Sequence, residues 1–259
     1  MNKVNRIDQV FQEKKNILNI YFTAGYPKLG DTVKIIKALE KGGADLIEIG
    51  MPYSDPVADG PTIQESNMEA LENGMTITKL FEQLEGIRDH TNIPIILMGY
   101  INPVIQYGVE RFVEKCKAIG IDGTILPDLP LPDFKREYKA LFDKAGLYNI
   151  FLISPQTSEE RIKQIDEASN GFIYMVSSNS ITGAKDKIQE GQVEYYERVK
   201  SYNLRNKKLI GFGISNNETF TNACAYAEGA IIGSAFIKLL SQSDNLDKDI
   251  AEFVKSVKG

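Results

Sequence analysis

Short apolar runs punctuate the chain, and each is followed by a segment whose apolar positions recur at helical spacing. The runs are LNIYFTAG (18–25), DLIEIG (45–50), PIILMGY (94–100), DGTILPD (122–128), NIFLISP (149–155), GFIYMVS (171–177), KLIGFG (208–213) and GAIIGS (229–234), eight in all. Inside them apolar residues are nearly continuous rather than alternating, which is the pattern of strands buried on both faces. The intervening segments carry helix signals. Asp31 can cap a helix over 32–41 that stops at Gly42–Gly43, and Ile77, Leu80, Phe81, Leu84 and Ile87 form one apolar stripe. Thr157 with Glu160, and Ser215 with Glu218, have capping-box spacing, and Pro132 suits the first turn of a helix running to Gly146. Strands alternating with helices predict parallel pairing through right-handed crossovers. Eight such units in 259 residues predict one α/β domain spanning 1–259, a single (β/α)8 TIM barrel with an additional N-terminal helix covering one end. A doubly wound open sheet is the alternative, but no linker, low-complexity tract or second domain accompanies it.

A hydrophobic fraction of 42% supplies one large core, and a net charge of −5 lacks the basic excess that a nucleic-acid or anionic-membrane surface needs. No run approaches the roughly 18 residues of a membrane span. The opening segment lacks the apolar stretch and cleavage site of a signal peptide, so the expected compartment is cytoplasmic. Cys116 and Cys224 lie in helical patterns beside small and apolar residues and read as small buried hydrophobes. There is no CxxC or metal-ligand cluster, so no metal is expected. The lone histidine, His90, sits in the polar turn RDHTN. Its isolation excludes Ser-His-Asp, Cys-His and multi-histidine mechanisms, leaving acid–base chemistry to carboxylates, lysines or tyrosines.

In a barrel of this type the chemistry lies where strands end and βα loops begin. Alternation along 46–50 points Leu46, Glu48 and Gly50 one way and the two isoleucines the other, so Glu48 is expected to enter the barrel near its catalytic end. A buried carboxyl must be paired or take up a proton. The following loop carries Asp55 and Asp59 on a path stiffened by Pro52 and Pro56. Two readings of Asp59 stand: a helix N-cap two residues before Pro61, or the second member of an acid–base pair with Glu48. Gly211 and Gly213 after the seventh run, with Gly233 and Ser234 after the eighth, match a phosphate cradle made of backbone N–H groups and a helix N-terminus. The polar stretch 177–192 is longer than a turn requires and reads as a lid or a surface insertion. Tyr174 lies within the sixth run, where it either packs or assists proton transfer.

These residues resemble one family, the α subunit of tryptophan synthase. The resemblance rests on IEIGMPYSDPVADGPTIQ (47–64), YFTAGYP (21–27), MGYINPV (98–104), PDLP (127–130), SITGA (180–184) and GFGIS through GSAFIK, and it runs over essentially the whole chain. It implies retro-aldol cleavage of indole-3-glycerol phosphate to indole and glyceraldehyde 3-phosphate without a cofactor in this chain. By similarity, Glu48 shuttles the proton, Asp59 stabilises the charge on the indole ring, and Tyr174 stands close to the reacting atoms. Phe22, Met98, Ile125 and Phe212 would sandwich the indole, Thr182 would position Asp59, and Gly183, Gly211, Gly213, Gly233 and Ser234 would hold the phosphate. The resemblance also implies a pyridoxal-phosphate-dependent β subunit as partner in an α2β2 tetramer, met by Asp55, Asn102 and Pro103. Met98 stands where many relatives have leucine, and Ser180 where glycine is common. Other phosphate-binding barrel enzymes of aromatic amino-acid or histidine biosynthesis, and a mainly regulatory subunit, are the competing readings.

Overall fold

Each apolar run contributes to one parallel sheet. The computed structural model describes residues 4–56, 59–177 and 190–259. Its strands are β1 (Ile17–Thr23), β2 (Leu46–Gly50), β3 (Ile95–Met98), β4 (Gly123–Ile125), β5 (Tyr148–Ile150), β6 (Leu152–Ile153), β7 (Phe172–Val176), β8 (Lys207–Gly211) and β9 (Gly229–Ile232). They pair in the order β5-β4-β3-β2-β1-β9-β8-β7-β6. Only Phe151 separates β5 from β6, which are two halves of the fifth run, so the sheet curls into a nearly closed barrel.

Around it run α1 (Arg6–Glu13), α2 (Thr32–Gly42), α3 (Pro61–Glu72), α4 (Ile77–Leu84), α5 (Ile101–Tyr107), α6 (Val109–Ile119) and α7 (Leu131–Asp133). They are followed by α8 (Lys139–Ala145), α9 (Glu159–Ala168), α10 (Glu190–Ser201), α11 (Asn217–Cys224), α12 (Ser234–Gln242) and α13 (Leu246–Lys258). The helix expected from Pro132 to Gly146 is present, with a π-helical stretch at Phe134–Tyr138 between α7 and α8. Several caps differ from the spacing-based expectation. Asp31 occupies the cap of α2, but its carboxylate pairs with Lys34 at 2.9 Å rather than with a helix amide. The caps of α9 and α11 are Ser158 and Asn216, each one residue later than expected, and Thr219 closes the box at Asn216.

The barrel interior is built from Ile17, Leu46, Ile96, Ile125, Ile150, Phe172, Leu209 and Ile231. Ile7 of α1, fully buried, joins this cluster, and Phe11 stacks on Phe172 at 6.0 Å, so the opening helix plugs the end where the strands begin. Charged residues lock the same end. Asp122, just before β4, accepts from Arg6 at 2.8 Å, Arg88 at 2.7 Å and the Ile95 amide at 2.9 Å. Asp45, just before β2, holds Lys14 at 2.8 Å and Lys258 at 2.7 Å. Stability is built at this end, which leaves the opposite mouth for function.

Candidate active site

Glu48 sits in the middle of β2 with no solvent exposure, on the inward face with Leu46, while Ile47 and Ile49 pack against the helices. Among the described residues its one hydrogen bond is from Asn19 Nδ2 on β1, 2.5 Å from Oε1, and its Oε2 is buried without a partner there. Burial penalises the charged form and pushes the Glu48 carboxyl up to about 8, against the smaller opposing effect of Asn19.

Asp59 is also buried, and it does not cap α3: the cap is Gly60, with Pro61 in the first turn. Its Oδ2 accepts from the Tyr100 hydroxyl at 3.1 Å, and Gln64 Nε2 donates to its carbonyl at 2.7 Å. Burial raises the Asp59 carboxyl to about 6, with the Tyr100 bond pulling the other way. Of the two readings of Asp59, the geometry therefore removes the cap.

Two tyrosines lie beside this pair, each with its ring laid over a glycine of the next strand. A Cβ on Gly50 would fall 2.2 Å from the Tyr21 hydroxyl, and a Cβ on Gly211 would fall 2.2 Å from the Tyr174 hydroxyl. Side chains at 50 and 211 would occupy the space the phenols need. Desolvation, with the nearby charges of Glu48 and Asp59, pushes both phenols well above the usual range. From Tyr21 a hydroxyl chain leads to Thr23 at 3.4 Å and on to Ser66 of α3 at 2.7 Å.

On the far side, Phe212 takes a left-handed φ of 69°. Strand alternation alone would send it outward with Ile210; the turned backbone brings its ring back into the interior cluster, 6.4 Å from Tyr174. Gly213 follows at φ 77°, and Gly233 precedes Ser234, the first residue of α12. Met98 and Ile125 end β3 and β4 in register with one another and border the same interior cluster.

The family model described as Tryptophan synthase alpha chain matches residues 7–258. The chain belongs to that family. A tryptophan synthase alpha chain from Flavobacterium johnsoniae is 60% identical, with 98% of this chain and 100% of the relative covered. One from Bacteroides thetaiotaomicron is 48% identical at the same coverage of 98% and 100%. Among solved structures, Mycobacterium tuberculosis tryptophan synthase in space group F222 matches with a TM-score of 0.89 and 30% identity, covering 99% of this chain and 98% of that one. The tryptophan synthase complex from Pyrococcus furiosus matches with a TM-score of 0.85 and 34% identity, covering 94% and 98%. The chain is accordingly a lyase of tryptophan biosynthesis that cleaves indole-3-glycerol phosphate to indole and glyceraldehyde 3-phosphate.

One indole-lining residue expected from the resemblance is misplaced. Phe22 alternates out of phase with Asn19 and Tyr21, and its fully buried ring packs in the layer between strands and helices. The aromatic residue of β1 on the inward face is Tyr21, set by its register opposite Glu48, which no sequence signal supplies. Tyr100 was also missed. It stands at the start of α5, stacks on Tyr53 at 5.2 Å and ties Asp59 to that helix. Asp128, in the loop after β4, accepts from the Ile101 amide at 2.9 Å and so fixes the start of the same helix. Asp55 and Asn102 are exposed, Pro103 is half-buried, and Asn102 Nδ2 donates to the Tyr53 hydroxyl at 3.4 Å. Thr182, Gly183 and Ser180 lie outside the described residues, as does most of the expected lid. His90 is exposed, as its turn suggested; Cys116 is buried, whereas Cys224 is only half-buried.

Proposed function

We propose that Glu48 is the acid–base residue of the cleavage and that Asp59 is the charge that steadies the ring. At neutral pH Glu48 holds its proton and Asp59 is largely ionised, the division of roles that two carboxyls in unlike surroundings provide. Glu48 gives its proton to indole C3, and the positive charge that forms reaches the ring nitrogen, whose N–H faces the Asp59 carboxylate. The Glu48 carboxylate then takes the proton of the glycerol hydroxyl next to the ring. The carbonyl of glyceraldehyde 3-phosphate forms, the carbon–carbon bond breaks, and its electron pair returns to the ring to give neutral indole. Every proton is conserved, so no cofactor is needed in this chain. Tyr174 and Tyr21 wall the cavity with Phe212, Met98 and Ile125. Gly211, Gly213, Gly233 and Ser234 hold the phosphate through backbone N–H groups at the start of α12.

The observation that carries this reading is a fully buried glutamate on the inward face of β2, held by the Asn19 amide, whose carboxyl burial raises to about 8. Indole release by the purified chain, measured without any partner, tests it. Glu48→Gln is expected to lower turnover by roughly 10²–10⁴-fold, the scale of a lost general acid–base group, while leaving the fold intact. Near-normal turnover in that variant would overturn the assignment, and no indole from the unaltered chain would favour a mainly regulatory subunit.

We further propose that the chain acts as one domain in the cytoplasm and docks a pyridoxal-phosphate-dependent β subunit in an α2β2 tetramer. Asp55, Asn102 and Pro103 would lie at that contact. The family implies such a partner, and Tyr53, Tyr100 and α5 connect exposed Asn102 to Asp59.

A further inference from the structure

The loop that leaves β8 is turned by two consecutive left-handed residues, Phe212 and Gly213, at φ 69° and 77°. Glycine takes such a φ freely, but phenylalanine does not, so residue 212 must be held there. The side chain in place to hold it is Ser177, the residue after β7. Its amide donates to the Gly211 carbonyl at 3.2 Å, and its hydroxyl donates to the Phe212 carbonyl at 2.6 Å. Ser177 is buried and is itself fixed from α10, where Gln192 Nε2 donates to its carbonyl at 3.3 Å.

A trans peptide is planar, with its C=O and N–H pointing in opposite directions. Holding the Phe212 carbonyl toward β7 therefore turns the Gly213 N–H away from β7. Because β8 lies between β7 and β9, that direction is the side of Gly233 and the N-terminus of α12. We propose that Ser177 is a positioning residue of the phosphate cradle, its hydroxyl aiming the Gly213 amide at the substrate phosphate through the Phe212 carbonyl. This rests on the cradle reading given above. Ser177 acts on the substrate through the Phe212–Gly213 peptide, while the Phe212 ring is kept inward by its own packing against Tyr174 and the interior cluster.

The test uses the full chain and two separate calorimetric titrations, with glyceraldehyde 3-phosphate and with indole. Ser177→Ala is expected to weaken the phosphate-bearing ligand about tenfold, the effect of one lost hydrogen bond, and to change indole affinity less than about twofold. Ser177→Thr, which keeps the hydroxyl, is expected to recover most of the loss. Should the alanine variant fail to fold, Ser177→Cys keeps the volume with a weaker donor and gives the same readout. Unchanged binding of glyceraldehyde 3-phosphate, or equal loss of both ligands with a lowered melting temperature, overturns the inference. Gly233→Asp separates the two levels, since Gly233 has an ordinary φ of −119° and an added carboxylate there would repel phosphate. If that variant loses phosphate binding while Ser177→Ala does not, only the role of Ser177 falls. If neither loses it, the cradle reading falls and takes the role of Ser177 with it.

Discussion

A carboxyl group buried from solvent and met by the Asn19 amide keeps its proton, and this ties the chemistry of Glu48 to pH. Cleavage needs Glu48 protonated and Asp59 ionised. kcat/KM for indole-3-glycerol phosphate is therefore expected to be bell-shaped, falling below about pH 6 as Asp59 takes up a proton and above about pH 8 as Glu48 loses one. Tyr100→Phe removes the hydrogen bond that lowers the Asp59 carboxyl, so the acid limb is expected to move to higher pH; an unmoved limb would disconnect Tyr100 from Asp59. The same shift affects folding. A carboxyl raised on folding binds more protons in the native than in the unfolded chain, so its contribution to stability is complete below its ordinary range and is lost as pH rises toward 8. Melting temperatures at pH 5.5 and 8 are expected to differ less in Glu48→Gln than in the unaltered chain. Phe22 and Tyr21 separate packing from function in the same strand. Phe22→Ala is expected to cost roughly 3–5 kcal/mol in denaturant unfolding, the usual loss for a buried phenylalanine, whereas Tyr21→Ala is expected to weaken indole binding as well.

At the scale of elements, strand and helix identities follow from periodicity, but their ends depend on local hydrogen bonds. Thr157 has capping-box spacing, yet its hydroxyl accepts from the Ser154 amide at 2.9 Å, a turn of its own, and the cap passes to Ser158. At α11 a capping asparagine at 216 takes the place of the expected serine because Thr219, not Glu218, reaches back to the cap. The closed end of the barrel is an assembly of elements remote in sequence. Asp122 there joins α1, the stretch after α4 and β3 in one buried network. Asp122→Ala leaves the Arg88 guanidinium with backbone carbonyls but no carboxylate, and the Ile95 amide without its side-chain acceptor, and is expected to cost roughly 3–5 kcal/mol by equilibrium unfolding. A loss below about 1 kcal/mol would reduce the network to ordinary surface pairing.

At the scale of the whole molecule, the barrel divides its labour between two ends, with ion pairs and the α1 plug at one and the carboxylates with glycine loops at the other. The rim of the functional mouth extends through Tyr100 and Tyr53 to exposed Asn102. An arginine at that position is expected to lower affinity for a purified tryptophan synthase β subunit at least about tenfold by sedimentation or calorimetry, as bulk and charge at a packed contact would. Undiminished association would move the contact elsewhere.

Period and composition by themselves determined eight strand–helix units, the inward face of β2 and so the placement of Glu48, because side-chain direction in a strand is a local property of the backbone. The resemblance of 47–64 to one family supplied the reaction. Tertiary structure alone decided what lies across from each inward residue. It replaced Phe22 with Tyr21, since strand phase is fixed by pairing with β2, and it released Asp59 from capping because Gly60 starts α3. It also turned Phe212 inward, because a left-handed φ reverses what alternation dictates.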